Sequence, residues 1–488
     1  LDQRGIRHNR AHCHTGPTSG RGESKRTNPL RTNANCTYIM TTALDSEIFG
    51  PLFSDDEINS LLSDEAYVRA LVEVEIALGR AEAAVGIVPA DAAEQIAKAQ
   101  SDRIDIAILA KGTNRAGFPV IALIEQLREQ VGGEAAQYVH WGATTQDIMD
   151  TACILQARGV IQILHRRLGQ LARQLCQLAE RHRATLLAGR THSQQALPIT
   201  FGLKVAGWLA PLIRHAQRLT EISGRLLVVQ FGGAAGTLSA LGDRGVSVAE
   251  ALALELNLAA PEMPWHAQRD NLAEFAGWLS LMTGSLAKMA QDVILMTQTE
   301  VGEVGESAEQ GRGGSSTMPQ KSNPITSELI VAAARMNGSL LSAMHQALIQ
   351  EHERATHGWQ LEWLTLPQMM LLSGGALKHA LYLAKNLQVD ASAMRSNIAR
   401  GNDLILAEAA VFALAKAMPR SSAEELVKKA CAVAVSQNKP LIGVVELLAS
   451  DVLKNGTIDW QALATPENYL GETRRMIDAV LQRARNFF

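Results

Sequence analysis

Residues 311–324 read GRGGSSTMPQKSNP. Three glycines, three serines and a threonine surround two prolines, one lysine and one asparagine, the composition of a linker. The flanking segments are of another kind. After Asn271, apolar residues recur at three- and four-residue steps through Leu272, Phe275, Leu279, Met282, Leu286, Met289, Val293 and Met296. After Ile325 the pattern resumes through Leu329, Ala332, Met336, Leu340, Leu341, Met344 and Leu348. This is the period of an amphipathic helix. A loop rich in bare backbone N–H groups and small hydroxyls therefore joins two long helices.

The rest of the chain extends that reading. No proline occurs between Pro119 and Pro198, Pro264 and Pro319, or Pro324 and Pro367, and each gap is filled by helical periodicity. Residues 154–178 carry it through Ile154, Leu155, Ile161, Leu164, Leu168, Leu171, Leu175 and Leu178. Alternating strand patterns are nearly absent. Helices this long bury their stripes in a bundle or against other subunits. The expected fold is all-α: an N-terminal helical domain over 40–150, with Ser54 and Asp55 as capping signals, a central long-helix bundle over 151–390, and a C-terminal helical domain over 391–488.

With 488 residues there is room for about three domains and a large core. A net charge of −3 gives no electrostatic case for nucleic acid or an anionic membrane. No run of 18 apolar residues occurs to span a bilayer. Five scattered cysteines, Cys13, Cys36, Cys153, Cys176 and Cys431, include no CxxC pair and fit a reducing cytoplasm. Residues 1–39 stand apart, with seven Arg/Lys against two acids, a net of +5 that leaves −8 for the remainder. They are expected to be a disordered tail. Arg-rich, acid-poor composition is that of a transit peptide, but an amphipathic apolar face is missing. The tail reads as non-native or upstream-translated sequence, with the working protein starting at Met40. His8, His12, Cys13 and His14 lack a second ligand pair at finger spacing.

Five polar clusters interrupt the helices: YVHWGATTQDIMDT (138–151), GRTHSQQALPIT (189–200), WHAQRDNLAEFA (265–276), the opening loop, and QEHERATHGWQLEW (350–363). Each has a bland alternative. His140 is a satisfied core histidine. Thr144, Thr145 and Asp147 cap the next helix. His192, Ser193 and Gln194 are turn chemistry, and Lys321 is a solvated lysine. His352, Glu353 and Arg354 form an ion-pair network. Together, however, hydroxyls, amides and histidines collect at the ends of Ala/Leu-rich helices, as they would around a shared polar pocket. His140, His192, His266 and His352 lack the spacing of a helical metal pair, and HExxH is absent, so no metal is expected. GxxxxGK[ST] and a strand-borne GxGxxG are absent as well.

GGSSTMPQKSNP resembles the signature loop GSSxMPxKxNP of the fumarase/aspartase superfamily, matched at Gly314, Ser315, Ser316, Met318, Pro319, Lys321, Asn323 and Pro324. HWGATTQD is similar to the superfamily's HxGxTSxD region, with Thr145 where serine is usual, and GRTHSQQALP to its GxTHxQxAxP region. The similarity runs from about Met40 to the C-terminus. YVHWGATTQD, LLVVQFGGAAGTLSALG, PWHAQRD, QTEVGEV, QEHERA with GWQLEWLTLP, and PENYLG most resemble the 3-carboxy-cis,cis-muconate cycloisomerases. The resemblance implies a cofactor-free cytoplasmic enzyme acting on a small polycarboxylate, in a homotetramer whose active sites are shared between subunits. It assigns proton transfer to Ser315, with His140 and His192 as further catalytic candidates. Thr144, Thr145, Gln194, Arg269, Ser316, Met318, Lys321 and Asn323 become candidate substrate contacts. Glycine lets bare N–H groups approach an anion, which suits stabilisation of a dianionic aci-carboxylate. The family's loop closes over substrate.

Two departures stand out. His192 takes a position usually filled by tryptophan in the cycloisomerases, and MPQKSNP replaces MPHKRNP, which removes an arginine from the loop. Expelling an amine benefits from an acid such as His192, whereas a departing carboxylate needs none. The competing reading is thus a fumarate-releasing C–N lyase of the adenylosuccinate type. A non-catalytic helical assembly protein is a third, opposed by intact Ser315, Lys321 and Asn323.

Overall fold

Thr144 sets the start of the structure's dominant element. It sits in extended conformation as an N-cap, and its N–H donates to Asp147 Oδ2 at 3.0 Å, so the helix begins at Thr145 and runs unbroken for 37 residues. The computed structural model describes residues 42–307, 313, 314, 316–354, 356–450 and 458–488. The tail 1–39, with its expected disorder and its histidines, and the candidate Ser315 lie outside the described residues. The helices that position the site are α1 (Asp64–Ala84), α2 (Thr145–Arg181), α3 (Phe201–Leu226), α4 (Asp270–Met296), α5 (Ile325–Gln346), α6 (Gly358–Asn386) and α7 (Thr473–Phe487). The protein is all-α, and no described helix is long and apolar enough to cross a membrane.

Helices α2 to α6 form the bundle. The periodic residues read from the sequence in α2 and α4 are all buried, all but Leu155 in this bundle, with Leu164, Leu168, Leu171, Leu175, Phe275, Leu279, Met282 and Leu286 inaccessible to solvent. A second apolar cluster joins α1 to Leu123, Leu127, Ile148, Phe231 and Trp359, and a third gathers Leu406, Leu414, Val427 and Val445 around Leu186 and Ala188. The closing helix α7, expected with the C-terminal domain, instead sends Ile477, Leu481 and Ala484 into the bundle core against α3 and α2.

Two local expectations change. In α5 the stripe is rotated: Ile330, Ala333 and Met344 face the core, whereas Met336 of the expected stripe is 46% exposed and Leu348, just beyond the helix, 38%. This helix is apolar on two faces, and the chain's own bundle covers one. At the second polar cluster, Leu186–Thr191 (β1) and Gln194–Thr200 (β2) pair as an antiparallel hairpin. Val304–Gly305 (β3) pairs with Gln388–Val389 (β4).

Helix α1 carries an anomaly on its buried stripe of Leu71, Glu75, Leu78 and Glu82. Glu82 is wholly inaccessible, and neither carboxyl oxygen has a hydrogen-bond partner among the described residues. Burial, with repulsion from Glu75 second, pushes its carboxyl up to about 9. The folded state therefore holds a proton that the unfolded chain loses above its ordinary carboxyl range. Stability contributed by this group is present at acid pH and declines as pH rises from the ordinary carboxyl value of 4.5 towards about 9. Replacing Glu82 by Gln keeps the shape without the ionisation. Thermal melting of Glu82→Gln should match the wild type in mild acid and exceed it increasingly at alkaline pH; parallel melting curves at every pH would reject the assignment.

Candidate active site

The cap of α2 is also the centre of one polar end of the bundle. Asp147 accepts from Thr144 N–H, from Gly232 and Gly233 N–H at 2.9 Å each, and from His266 Nε2 at 2.7 Å. Four donors fill a carboxylate. A Cβ at Gly232 would lie 2.6 Å from Pro264, so only glycine lets this strand of backbone reach Asp147. Gln146 Nε2 donates to His266 O at 3.0 Å, and Gln146 Oε1 accepts from Arg354 Nε at 3.2 Å. The first, third and fifth polar clusters thus meet, together with the segment 230–233.

One turn further along α2, Asp150 and Glu362 clamp Arg269. Asp150 takes two of its N–H groups at 2.6 and 3.0 Å, and Glu362 takes two at 2.9 and 2.5 Å. Trp359 Nε1 and Gln230 Nε2 complete Asp150, and the Arg269 guanidinium lies 4.8 Å over Trp265. Arg269 is 3% exposed. The sequence suggested a substrate contact; these contacts engage both faces of the guanidinium fork, and the residue ties α2, α4 and α6 together. Arg354 has the opposite character. It is half-buried beside Gln146 and Gly233 O, and no carboxylate lies within ion-pair range among the described residues. The expected ion-pair network at 352–354 is absent there.

His140 stands two residues before Gly142, with its backbone at φ +66°. Its Nδ1 lies 2.7 Å from Glu75 Oε1. Burial pulls the imidazole down, but the charge and hydrogen bond of Glu75 outweigh it, and the pKa ends above its ordinary value. Thr144 is the N-cap, and Thr145, half-buried, is the first residue of α2.

The other polar end is built on Glu303. It accepts from both terminal nitrogens of Arg190 at 2.9 and 2.7 Å and from Asn397 Nδ2 at 2.9 Å, anchoring the β1–β2 hairpin. His192 and Ser193 form its two-residue turn at φ +48° and +65°, a conformation that usually selects asparagine and glycine. The turn reading holds for His192 and Ser193, whereas Gln194 opens β2, and both His192 and Gln194 are exposed at the tip. Three residues after Glu303, Glu306 accepts from Thr326 N–H, Ser327 N–H and the Ser327 hydroxyl, capping α5. Just before it, Asn323 N–H donates to Gly313 O at 2.8 Å and Gly314 bridges Ser322, so the base of the signature loop is closed. A Cβ at Gly313 would meet Asn323 O at 2.4 Å, and its φ is +73°. Ser316, Met318 and Lys321 are exposed, and Asn323 is half-buried.

The two ends are far apart. Helix α2 has 37 residues and spans about 55 Å. It starts at His140–Asp147 and ends at the hairpin. Helix α4 runs from Arg269 to the approach to Glu303, and α5 returns from the loop towards Arg354. The structure brings His140, Thr144 and Thr145 together at one end, and His192, Gln194, Ser316, Met318, Lys321 and Asn323 at the other. Glu75, Gln146, Glu303 and Glu306 were not singled out from the sequence. For Glu75 the signal was a glutamate on an apolar stripe; for Glu303 it was the QTEVGEV segment (298–304), already noted for its resemblance, and Glu306 lies two residues beyond it.

Comparison with known proteins agrees with this architecture. The lyase family matches residues 54–337. A 3-carboxy-cis,cis-muconate cycloisomerase of Pseudomonas aeruginosa is 45% identical over 442 residues, 89% of this chain and 96% of that protein. Trans-aconitate decarboxylase 1 of Mycosarcoma maydis is 40% identical over 433 residues, 88% of each chain. The crystal structure of 3-carboxy-cis,cis-muconate lactonizing enzyme from Pseudomonas putida aligns with a TM-score of 0.84 at 40% identity, covering 91% of this chain and all of that one. With a family match over more than half its length and relatives of nearly equal extent, the chain belongs to the lyase family and is an enzyme of the fumarase/aspartase superfamily.

Proposed function

We propose that the protein is a 3-carboxy-cis,cis-muconate cycloisomerase of the protocatechuate branch of aromatic degradation, acting in the cytoplasm. It adds a carboxylate oxygen of the substrate across a double bond and gives a carboxymuconolactone. The observation that carries this reading is the 45% identity to a protein of that name, sustained over 89% of the chain and so over both polar ends. Ring closure moves an electron pair onto the carbon beside a second carboxylate, giving a dianionic aci-carboxylate. Lys321, Asn323 and the loop's N–H groups stabilise that charge, and Ser315 delivers the proton to carbon. In the reverse direction Ser315 removes it. Thr144, Thr145, Gln194, Ser316 and Met318 line the bound polycarboxylate. His140 and Arg354 supply cationic donors at the opposite end, which compensates for a loop whose usual arginine is replaced by Ser322.

Two polar ends about 55 Å apart along α2 cannot serve one small molecule within one chain. The reading therefore includes a homotetramer in which antiparallel bundles bring the 138–151 end of one subunit to the hairpin and loop ends of others. The apolar faces left open at Leu281, Met336, Leu348 and Leu364 supply the contact area. Exposed His192 favours a second reading, a C–N lyase that expels a protonated amine.

Three outcomes test the proposal. His140→Ala and Lys321→Ala subunits, each inactive alone, should regain roughly a quarter of wild-type activity when unfolded and refolded together at equal amounts, because random assembly leaves that share of two-chain sites intact. No recovery in mixed tetramers would overturn the shared site. Ser315→Ala should lower kcat by several orders of magnitude with KM little changed, and Ser316→Ala should be milder; equal modest losses would mean that both hydroxyls only shape the loop. His192→Trp should keep substantial carboxymuconate turnover, followed by loss of the muconate chromophore. Fumarate release from adenylosuccinate by the wild type, lost about 10²–10⁴-fold in His192→Trp, would favour the lyase instead.

A further inference from the structure

Of the two carboxyls on the buried stripe of α1, one reaches the site. The Glu75 side chain is 1% exposed and that of His140 is 15% exposed. A carboxylate can only accept, so Nδ1 of His140 carries the proton in their 2.7 Å bond, and Nε2 is the nitrogen left to face outward. The backbone enforces this direction. His140 holds φ +66°, and the carbonyl of Val139 before it accepts from Arg128 at 3.2 Å. A second histidine–carboxylate pair flanks the same turn, His266 with Asp147, but it is 3% and 1% exposed and Asp147 has no capacity left. His140 alone of the two is presented to a ligand.

We propose that Glu75 is a positioning residue of the reaction: it holds the Nδ1–H of His140 inward, so that Nε2–H meets a carboxylate of the substrate. This rests on the proposed role of His140 as a substrate contact. Three charged groups face the ring: Glu75 from α1, Asp147 from α2 and Arg128 from the helix Val120–Val131. Burial lowers the imidazole's pKa, Glu75 raises it by charge and by hydrogen bond, Asp147 adds to the rise and Arg128 opposes it; the balance lies above 6.5. Two helical turns along the stripe, Glu82 holds its proton up to about 9 and places no second negative charge behind Glu75 in neutral solution. The cation on His140 is present at low pH and persists further into the neutral range than an ordinary histidine's before it is lost.

The test uses the full-length enzyme and tricarballylate as a substrate-like tricarboxylate. Binding calorimetry in buffers of different ionisation enthalpy counts the protons taken up on binding. Uptake by the wild type should begin only as pH rises through the raised value for His140, and in Glu75→Gln it should begin at lower pH. KM for carboxymuconate should rise roughly ten- to a hundredfold in Glu75→Gln, the worth of a charge-assisted hydrogen bond, with kcat changed less. Glu75→Asp, which keeps the charge and shortens the reach, should raise KM while its uptake curve stays close to the wild type's; it decides the matter if the Gln variant fails to fold. Superimposed uptake curves and an unchanged KM in Glu75→Gln would overturn the proposal. His140→Ala separates the two levels. If it leaves tricarballylate affinity intact, the reading of the site fails; if it weakens binding while Glu75→Gln behaves as wild type, only the role of Glu75 fails.

Discussion

An α-helix advances 1.5 Å per residue and cannot turn back, so the ends of a long one never meet. That constraint organises this protein. Helix α2 begins among His140, Thr144 and Asp147 and ends, 37 residues later, at the hairpin that carries His192. Helices α4, of 27 residues, and α5, of 22, run between the same two ends in alternating directions, so the described polar clusters are delivered to one end or the other. The bundle is a spacer with a different set of candidate site residues at each end. Its packing is what fixes that distance: the apolar stripes of α2 and α4 are buried along their whole length.

Each end is then secured by buried charge. Asp147 and Asp150 lie one turn apart on α2. The first gathers backbone N–H groups and an imidazole; the second, with Glu362, gathers a guanidinium. Burying such groups costs several kcal/mol each unless every partner is in place, and here, the Thr144 cap aside, the partners come from segments 80 or more residues away in sequence. Glu303 does the same for the hairpin through Arg190 and Asn397. The carboxylates do little packing of their own, and they define which loop lies against which helix.

Much of this was legible in the sequence. Proline gaps and three-and-four periodicity located α2 and α4, because a helix buried on one broad face must show that pattern. Local capping at Thr144 and Asp147 was legible for the same reason: both partners lie within one turn. Long-range pairs were not. Arg269 looked like a ligand for substrate because nothing near it in sequence reveals that Asp150 and Glu362 will enclose it. Glu75 hid in a run of glutamates, distinguished only by its register. The α5 stripe was misplaced because that helix is apolar on both sides, and periodicity alone cannot say which side the chain itself covers. The hairpin escaped notice because its turn uses histidine and serine where asparagine and glycine are the usual signal. Where the signature loop matched a known pattern, the family was readable before geometry; which end of the bundle a group occupies, only the fold could tell.

The outward face of α5 and its neighbours has a consequence for the newly made chain. Leu281, Leu295, Met336, Ile349 and Leu364 stand exposed on the folded chain. In the proposed homotetramer like chains cover them; on a lone chain that surface is as adhesive towards a stranger as towards a like chain. Encounters with like chains and with unfolded material both become more frequent as synthesis rate rises, so biogenesis is a race between two processes of the same kinetic order. The yield of usable protein is then set partly by how quickly the chain finishes folding and finds cover, and not by the stability of the finished fold alone.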